Sequence, residues 1–117
     1  GALHCWGDNN YGQTDVPSGV NAWSSVSTGG EHTCGIAQAD GAMYCWGYNA
    51  NGQTDVPSGV SAWSSVSAGS YHNCGVAQAD GSLHCWGYNG DGQTGVPSDV
   101  SAWSSASAGV YHTCGIA

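Results

Sequence analysis

The chain has 117 residues and a formal charge of −8, with no Lys or Arg at all. A surface without fixed positive charge cannot neutralise phosphates, which excludes nucleic acid as a partner and argues against an anionic membrane surface. No ion pair between permanently charged side chains can form, so stability has to come from burial, hydrogen bonds and covalent links.

This length suits one domain with a modest core. Gly numbers 20, Phe is absent, and Trp and Tyr number six each. Six cysteines in a small acidic chain point to an oxidising, extracellular or secreted setting. No apolar run is long enough to cross a membrane, and no signal peptide is evident. No cofactor is expected.

In chain order, Gly1-Ala2-Leu3-His4-Cys5-Trp6-Gly7 reads as a strand and Trp6-Gly7-Asp8-Asn9-Asn10-Tyr11-Gly12-Gln13 as a loop. From His32 to Gly47 two short strands fold back around Gln38-Ala39-Asp40-Gly41, with one cysteine on each strand. Gly47 to Thr54 is a Gly- and Asn-rich loop, and Val56-Pro57-Ser58-Gly59-Val60 a turn. Trp63 to Ser67 alternates like a strand, and Gly69 leads into a second hairpin from His72 to Gly87. A third hairpin exists only in halves, His112 to Ala117 at one end of the chain and Gly1 to Gly7 at the other. No window has the spacing or composition of a helix. The expectation is all-β, with about four short antiparallel strands per repeat.

The repeat itself is the strongest signal. Cys5, Cys45 and Cys85 step by 40 residues, as do Trp6, Trp46 and Trp86, then Trp23, Trp63 and Trp103, then His32, His72 and His112. Roughly three-quarters of positions match between the first two copies, at a length associated with propeller blades. One repeat domain, 1–117, divides into copies 1–40, 41–80 and 81–117, the last three residues short of Gln-Ala-Asp.

Opposed positions in a hairpin have constant index sums, so Cys34 faces Cys45 across the tight turn, and Cys74 faces Cys85. Antiparallel partners lie about 4.5 to 5.5 Å apart at Cα, close enough for a disulfide. Disulfides are favoured over free thiols or a metal, because every cysteine occupies one of two repeat positions at a constant interval. Cys114 has a counterpart only in Cys5.

The segment Trp46-Gly47-Tyr48-Asn49-Ala50-Asn51-Gly52-Gln53, with its copies at Trp6 to Gln13 and Trp86 to Gln93 and a Gly-x-x-His lead, resembles the regulator of chromosome condensation repeat. The resemblance covers all three copies and implies a β-propeller of four-stranded blades. In repeat length it is similar to the compact bacterial members, which include a propeller-type β-lactamase inhibitory protein. The nuclear members act on a small GTPase and chromatin. Their repeats end in Gly-Gln-Leu-Gly, whereas Gln13 here precedes Thr14-Asp15, so nucleotide exchange and chromatin binding are not carried over. The paired cysteines lie outside the family pattern and point to an extracellular variant.

His32, His72 and His112 recur once per blade, too far apart around a ring for the converging ligands of a zinc site, so they read as hydrogen-bonding strand positions. His4 and His84, replaced by Tyr44 in the middle copy, read as surface residues. Trp6, Trp46 and Trp86 are expected to pack between blades. Trp23, Trp63 and Trp103 are weighed between the core and, with Asn49 and Asn89, a sugar-stacking site in each blade. The loops at Asp8 to Asn10 and Asn89 to Gly92 lack the ligand alternation of a calcium loop, so no metal is assigned. Catalysis is not expected, since nearly every candidate residue occurs in triplicate.

Three blades are too few to close a propeller, and a three-blade chain leaves unpaired strands at both ends. The leading expectation is a non-catalytic, extracellular scaffold that joins head to tail with itself into a ring or filament, Cys5 meeting Cys114. The alternative is a multivalent lectin or protein-binding propeller. A third reading takes the segment as an excerpt or design from a longer array, whose ends carry no biology.

Overall fold

A computed structural model describes all 117 residues, as eight antiparallel strands and no helix, so none long and apolar enough to cross a membrane. The first sheet comprises β1 (Trp23–Thr28), β2 (His32–Ala37) and β3 (Met43–Gly47), in that order. The second repeats it with β4 (Trp63–Ala68), β5 (His72–Ala77) and β6 (Leu83–Gly87). The third has only β7 (Ser105–Ala108) and β8 (Thr113–Ile116).

A complete sheet therefore has three strands rather than the expected four. The remaining residues of each repeat go into consecutive tight turns. Gly52 N–H donates to Asn49 C=O, Asp55 N–H to Gly52 C=O and Val56 N–H to Thr54 C=O. Asn49 Oδ1 also accepts from Thr54 N–H at 2.8 Å. With its polar groups satisfied locally, this segment has nothing to offer a ladder.

The hairpins have the register given by the index sums: Cys34 opposes Cys45 and Cys74 opposes Cys85, both pairs as disulfides. Their turns use Gly41 at φ +73° and Gly81 at +72°, where an L side chain would be strained. Asp40 Oδ1 holds Ala42 N–H at 3.0 Å, and Asp80 Oδ1 holds Ser82 N–H likewise.

Another glycine explains a tryptophan. A Cβ on Gly35 would stand 2.7 Å from the Trp23 ring, and Gly75 and Gly115 stand in the same relation to Trp63 and Trp103. Each indole lies on the bare backbone of the neighbouring strand. A break in register between Trp23 and Ser25, and between Trp63 and Ser65, accompanies this packing.

β2 and β5 are buried along their whole length because each is central in its sheet and packs on the first strand of the sheet that follows, β4 and β7. The core between the first two sheets joins Ile36 and Met43 to Trp63 and Trp86, with Cys45, Val56, Val60 and Val66 packed around them. Burying one indole removes about 150–250 Å² from water, an upper figure of about 4–6 kcal/mol. Tryptophan here does the work of the absent phenylalanine.

Candidate functional site

The second blade shows what a finished unit looks like. In the loop that leads into it, Gln53 folds its side chain back, Oε1 accepting from Asn51 N–H at 2.8 Å. That leaves the Gln53 backbone carbonyl aimed at the blade that follows, where it accepts from Asn73 Nδ2 at 2.6 Å and from the indole Trp86 Nε1 at 3.1 Å. Gln13 does the same for the first blade, with Thr33 Oγ1 at 2.8 Å and Trp46 Nε1 at 2.9 Å. The Trp-Gly…Gly-Gln pattern is thus a clamp made across repeats.

Histidine ties the blades sideways. His32 Nε2 lies 2.7 Å from Asn73 Oδ1, and His72 Nε2 lies 2.8 Å from Thr113 Oγ1. Asn73 Nδ2 and Thr113 Oγ1 both donate onward to glutamine carbonyls, so each imidazole is the donor, through Nε2–H. Both Nδ1 atoms are buried without a partner. Burial holds both imidazoles below the ordinary value of 6.5, and the neighbouring imidazoles His32 and His112 add to the effect on His72. Serines complete the seam: Ala68 N–H donates to Ser27 Oγ at 2.9 Å and Ala108 N–H to Ser67 Oγ at 3.0 Å.

The third blade stops short of this. Gln93 C=O accepts from Thr113 Oγ1 at 2.8 Å, with no indole joining it. Cys114 is free and exposed, Ile116 is 65% exposed, and Tyr111 and Val110 are exposed beside them. In the finished blades Trp23 packs on Trp46 and Tyr44, and Trp63 on Trp86 and His84, with centroids 5.6 to 5.8 Å apart. Trp103 is half-buried without such partners and lines a cavity of about 430 Å³ with Gln93, Tyr111, His112 and Thr113.

At the opposite side of the molecule the reverse holds. Residues 3–7 pair with no strand, Cys5 is a free thiol pushed up by burial, and Trp6 is 84% exposed. A second cavity of about 420 Å³ lies there, between Leu3, Cys5 and Trp6 and the first blade's Val26, His32 and Thr33.

The other residues singled out from sequence fall in place as follows. Trp23 and Trp63 are buried core residues, so their rings present no face to a sugar. Asn49 and Asn89 are exposed, but their Oδ1 atoms are committed to Thr54 and Thr94 N–H, and Asn49 Nδ2 reaches Asp55. His84 stands against the edge of Trp63. No group of three or more His, Cys, Asp and Glu side chains converges to hold a metal.

One constellation escaped the sequence. Ser82 Oγ lies 2.7 Å from Asp80 Oδ1 and 3.0 Å from His84 Nε2 on an exposed turn. The order is Asp–Ser–His, with the hydroxyl in the middle, and its single proton goes to the carboxylate. His84 then donates to Ser82 rather than abstracting from it, the opposite of what a nucleophile needs. The two donors of Ser82 hold the Asp80 carboxyl below its ordinary range.

Comparison with known proteins gives a consistent picture. The family described as Regulator of chromosome condensation (RCC1) repeat matches residues 23–53 and 63–93, more than half of the chain. Each match runs from the first strand of a blade through the following clamp glutamine. The search of curated proteins found no match. Among solved structures, the CRINKLY WD40 ectodomain of the Arabidopsis thaliana receptor kinase ACR4 is 27% identical, with a TM-score of 0.74 over 97% of this chain and 38% of that one. The entire ectodomain of the Physcomitrella patens receptor kinase CR4 is 33% identical, with a TM-score of 0.72 over 96% of this chain and 32% of that one. Prp20p from Saccharomyces cerevisiae, described with its binding to Gsp1p and histones, shares the fold at 18% identity and a TM-score of 0.76, over 96% of this chain and 38% of its own. The chain spans about a third of the length of each.

Proposed function

This chain belongs to the Regulator of chromosome condensation (RCC1) repeat family, and from that premise we propose that it is a non-catalytic propeller scaffold outside the cell that binds protein and joins head to tail with itself. The observation that carries the reading is the seam by which one blade docks on the next, glutamine carbonyl to indole, imidazole to Asn or Thr, and serine to backbone N–H. Exposed Trp6, Val110 and Tyr111 add apolar surface to it. Exposed indole and aliphatic surface of this kind marks interaction sites.

An extracellular setting is supported by the two disulfides and by two receptor ectodomains among the similar structures. Protein as the ligand class is supported by what is described for Prp20p, without its particular partners.

Glycan binding is the second reading, with Trp103 as its one half-open indole among the three. Sedimentation velocity in a glutathione redox buffer tests the main reading: species at integer multiples of the chain mass are expected, and a monomer at every concentration overturns it. A neutral-glycan array with hits abolished by Trp103→Ala would instead establish the lectin.

A further inference from the structure

We infer that the face formed by the β1–β2, β4–β5 and β7–β8 turns recognises an extended, Arg- or Lys-rich segment of another protein. The inference rests on the protein-binding part of the reading above and names the chemistry of the partner. The turns Gly29-Gly30-Glu31, Gly69-Ser70-Tyr71 and Gly109-Val110-Tyr111 meet at one end of the molecule, where a groove of about 330 Å³ crosses all three blades. Its floor is backbone. A Cβ on Gly29 or Gly69 would run into the carbonyl of the following blade's glycine, and Ser70 N–H donates to Gly109 C=O at 3.3 Å. The loops after β3 and β6 are tied to the same turns, Tyr48 N–H donating to Glu31 C=O and Tyr88 N–H to Tyr71 C=O, both at 2.9 Å.

Every tyrosine except Tyr44 gathers on this face. Tyr71 stacks on Tyr111 with centroids 6.2 Å apart and meets Tyr88 edge-on at 6.3 Å, while Tyr11 meets Tyr48 at 4.7 Å. Tyr11, Tyr88 and Tyr111 are exposed. Tyrosine offers broad contact area at small entropic cost, and the face of its ring attracts cations.

The repeats themselves single out the same surface. Glu31 is answered by Tyr71 and Tyr111, Asp8 by Tyr48 and Tyr88, Tyr11 by Asn51 and Asp91, and Gly30 by Ser70 and Val110. Elsewhere the copies differ mostly like for like, as Leu3 with Met43 and Ile36 with Val76. None of the exchanged side chains enters the clamp or the seam, so the fold is indifferent to them. A fixed framework with one varied face is the pattern of a surface that a partner reads.

Charge decides the partner's class. Glu31, Asp8 and Asp91 stand among the tyrosines, and no Lys or Arg in the chain competes for them. A guanidinium or ammonium laid on a ring beside a carboxylate satisfies both, and the planar guanidinium fits the ring better. An acidic segment would meet like charge across the whole face.

The test is fluorescence anisotropy of labelled Arg-Gly, Gln-Gly and Glu-Gly repeat peptides with the full chain at physiological salt. Binding of the Arg-Gly peptide alone is expected. Tyr71→Leu with Tyr88→Leu should weaken it about tenfold, and Glu31→Gln about threefold. Asp99→Asn makes the same change in net charge, but its loop packs through Ala102 on Gly81 at the other end of the strands, so binding should be unchanged. Equal losses with Glu31→Gln and Asp99→Asn would reduce the attraction to net charge and overturn the face. That pair decides the matter even if the tyrosine variant folds poorly. Gln-Gly bound as tightly as Arg-Gly, and lost with the tyrosines, overturns the cationic partner and leaves the protein-binding reading standing. No binding of any peptide overturns this inference, and the reading beneath it falls only if sedimentation also gives a permanent monomer.

Discussion

The second and third blades carry nearly the same residues in opposite circumstances. Val76 is 3% exposed and Ile116 65%; Cys74 is buried and Cys114 open; Trp86 is 9% exposed, while its repeat equivalent Trp6 is 84% exposed. The residues within each pair are identical or, for Val76 and Ile116, both β-branched aliphatics, so type alone does not decide burial. What decides it is whether a neighbouring strand and blade are present, as expected when each repeat buries its faces only against the next.

The comparison can be broken most severely at the indole bed. Trp63→Ala should cost about 3–5 kcal/mol in urea denaturation, because it removes a ring packed on Gly75, Trp86 and His84. Trp103→Ala, the same change in the open blade, should cost well under half of that in the single chain. Equal costs would show that the third blade is as well packed as the second.

Next in size is the staple. Replacing Cys74 and Cys85 together by Ser opens a link of sequence separation 11 and should cost about 3 kcal/mol. The same treatment of Cys5 and Cys114 should leave the stability of the single chain unchanged, since both are free there.

A smaller contrast lies in the seam. Asn73→Leu strands His32 Nε2 and removes one donor from Gln53 C=O, at about 1–3 kcal/mol. Thr33→Val removes only a donor to Gln13 C=O and should cost about 1 kcal/mol, because no imidazole bonds to it.

The mildest effect is on pH. His32 and His72 resist protonation when folded, whereas in the unfolded chain they take protons near 6.5. Their contribution to stability is therefore present above about pH 6.5 and is lost as pH falls below it. Denaturation midpoints at successive pH values should decline on the acid side, and His72→Gln should flatten that decline. A midpoint unchanged down to pH 5 would contradict the buried, neutral assignment.

Much of the blade was legible in the chain, for a definite reason. The Cys34–Cys45 register follows from the turn alone, because a tight hairpin leaves one way to count. The Trp-Gly-x-Asn-x-x-Gly-Gln loop was legible as a family motif, but its purpose was not. That purpose depends on a backbone carbonyl meeting side chains 20 and 33 residues later. The His–Asn and His–Thr contacts escaped because they span 41 residues, one repeat plus one, and link residues of different types. The strand count was one too high: the residues from Tyr48 to Val60, read as loop and turn, join no ladder, which leaves three strands to a sheet. Trp23 and Trp63 stayed undecided between core and ligand site, since only geometry reveals the glycine beneath each ring.

The carbonyl clamp also bears on how such chains can change length. Each junction draws its glutamine from one copy and its indole from the next, 33 residues on. Duplication or deletion of 40 residues, wherever the breakpoints fall, regenerates the same junction from the same parts. A change that is not a whole number of repeats puts glutamine and indole out of step at one junction. Growth by whole blades thus leaves the clamp intact at every junction.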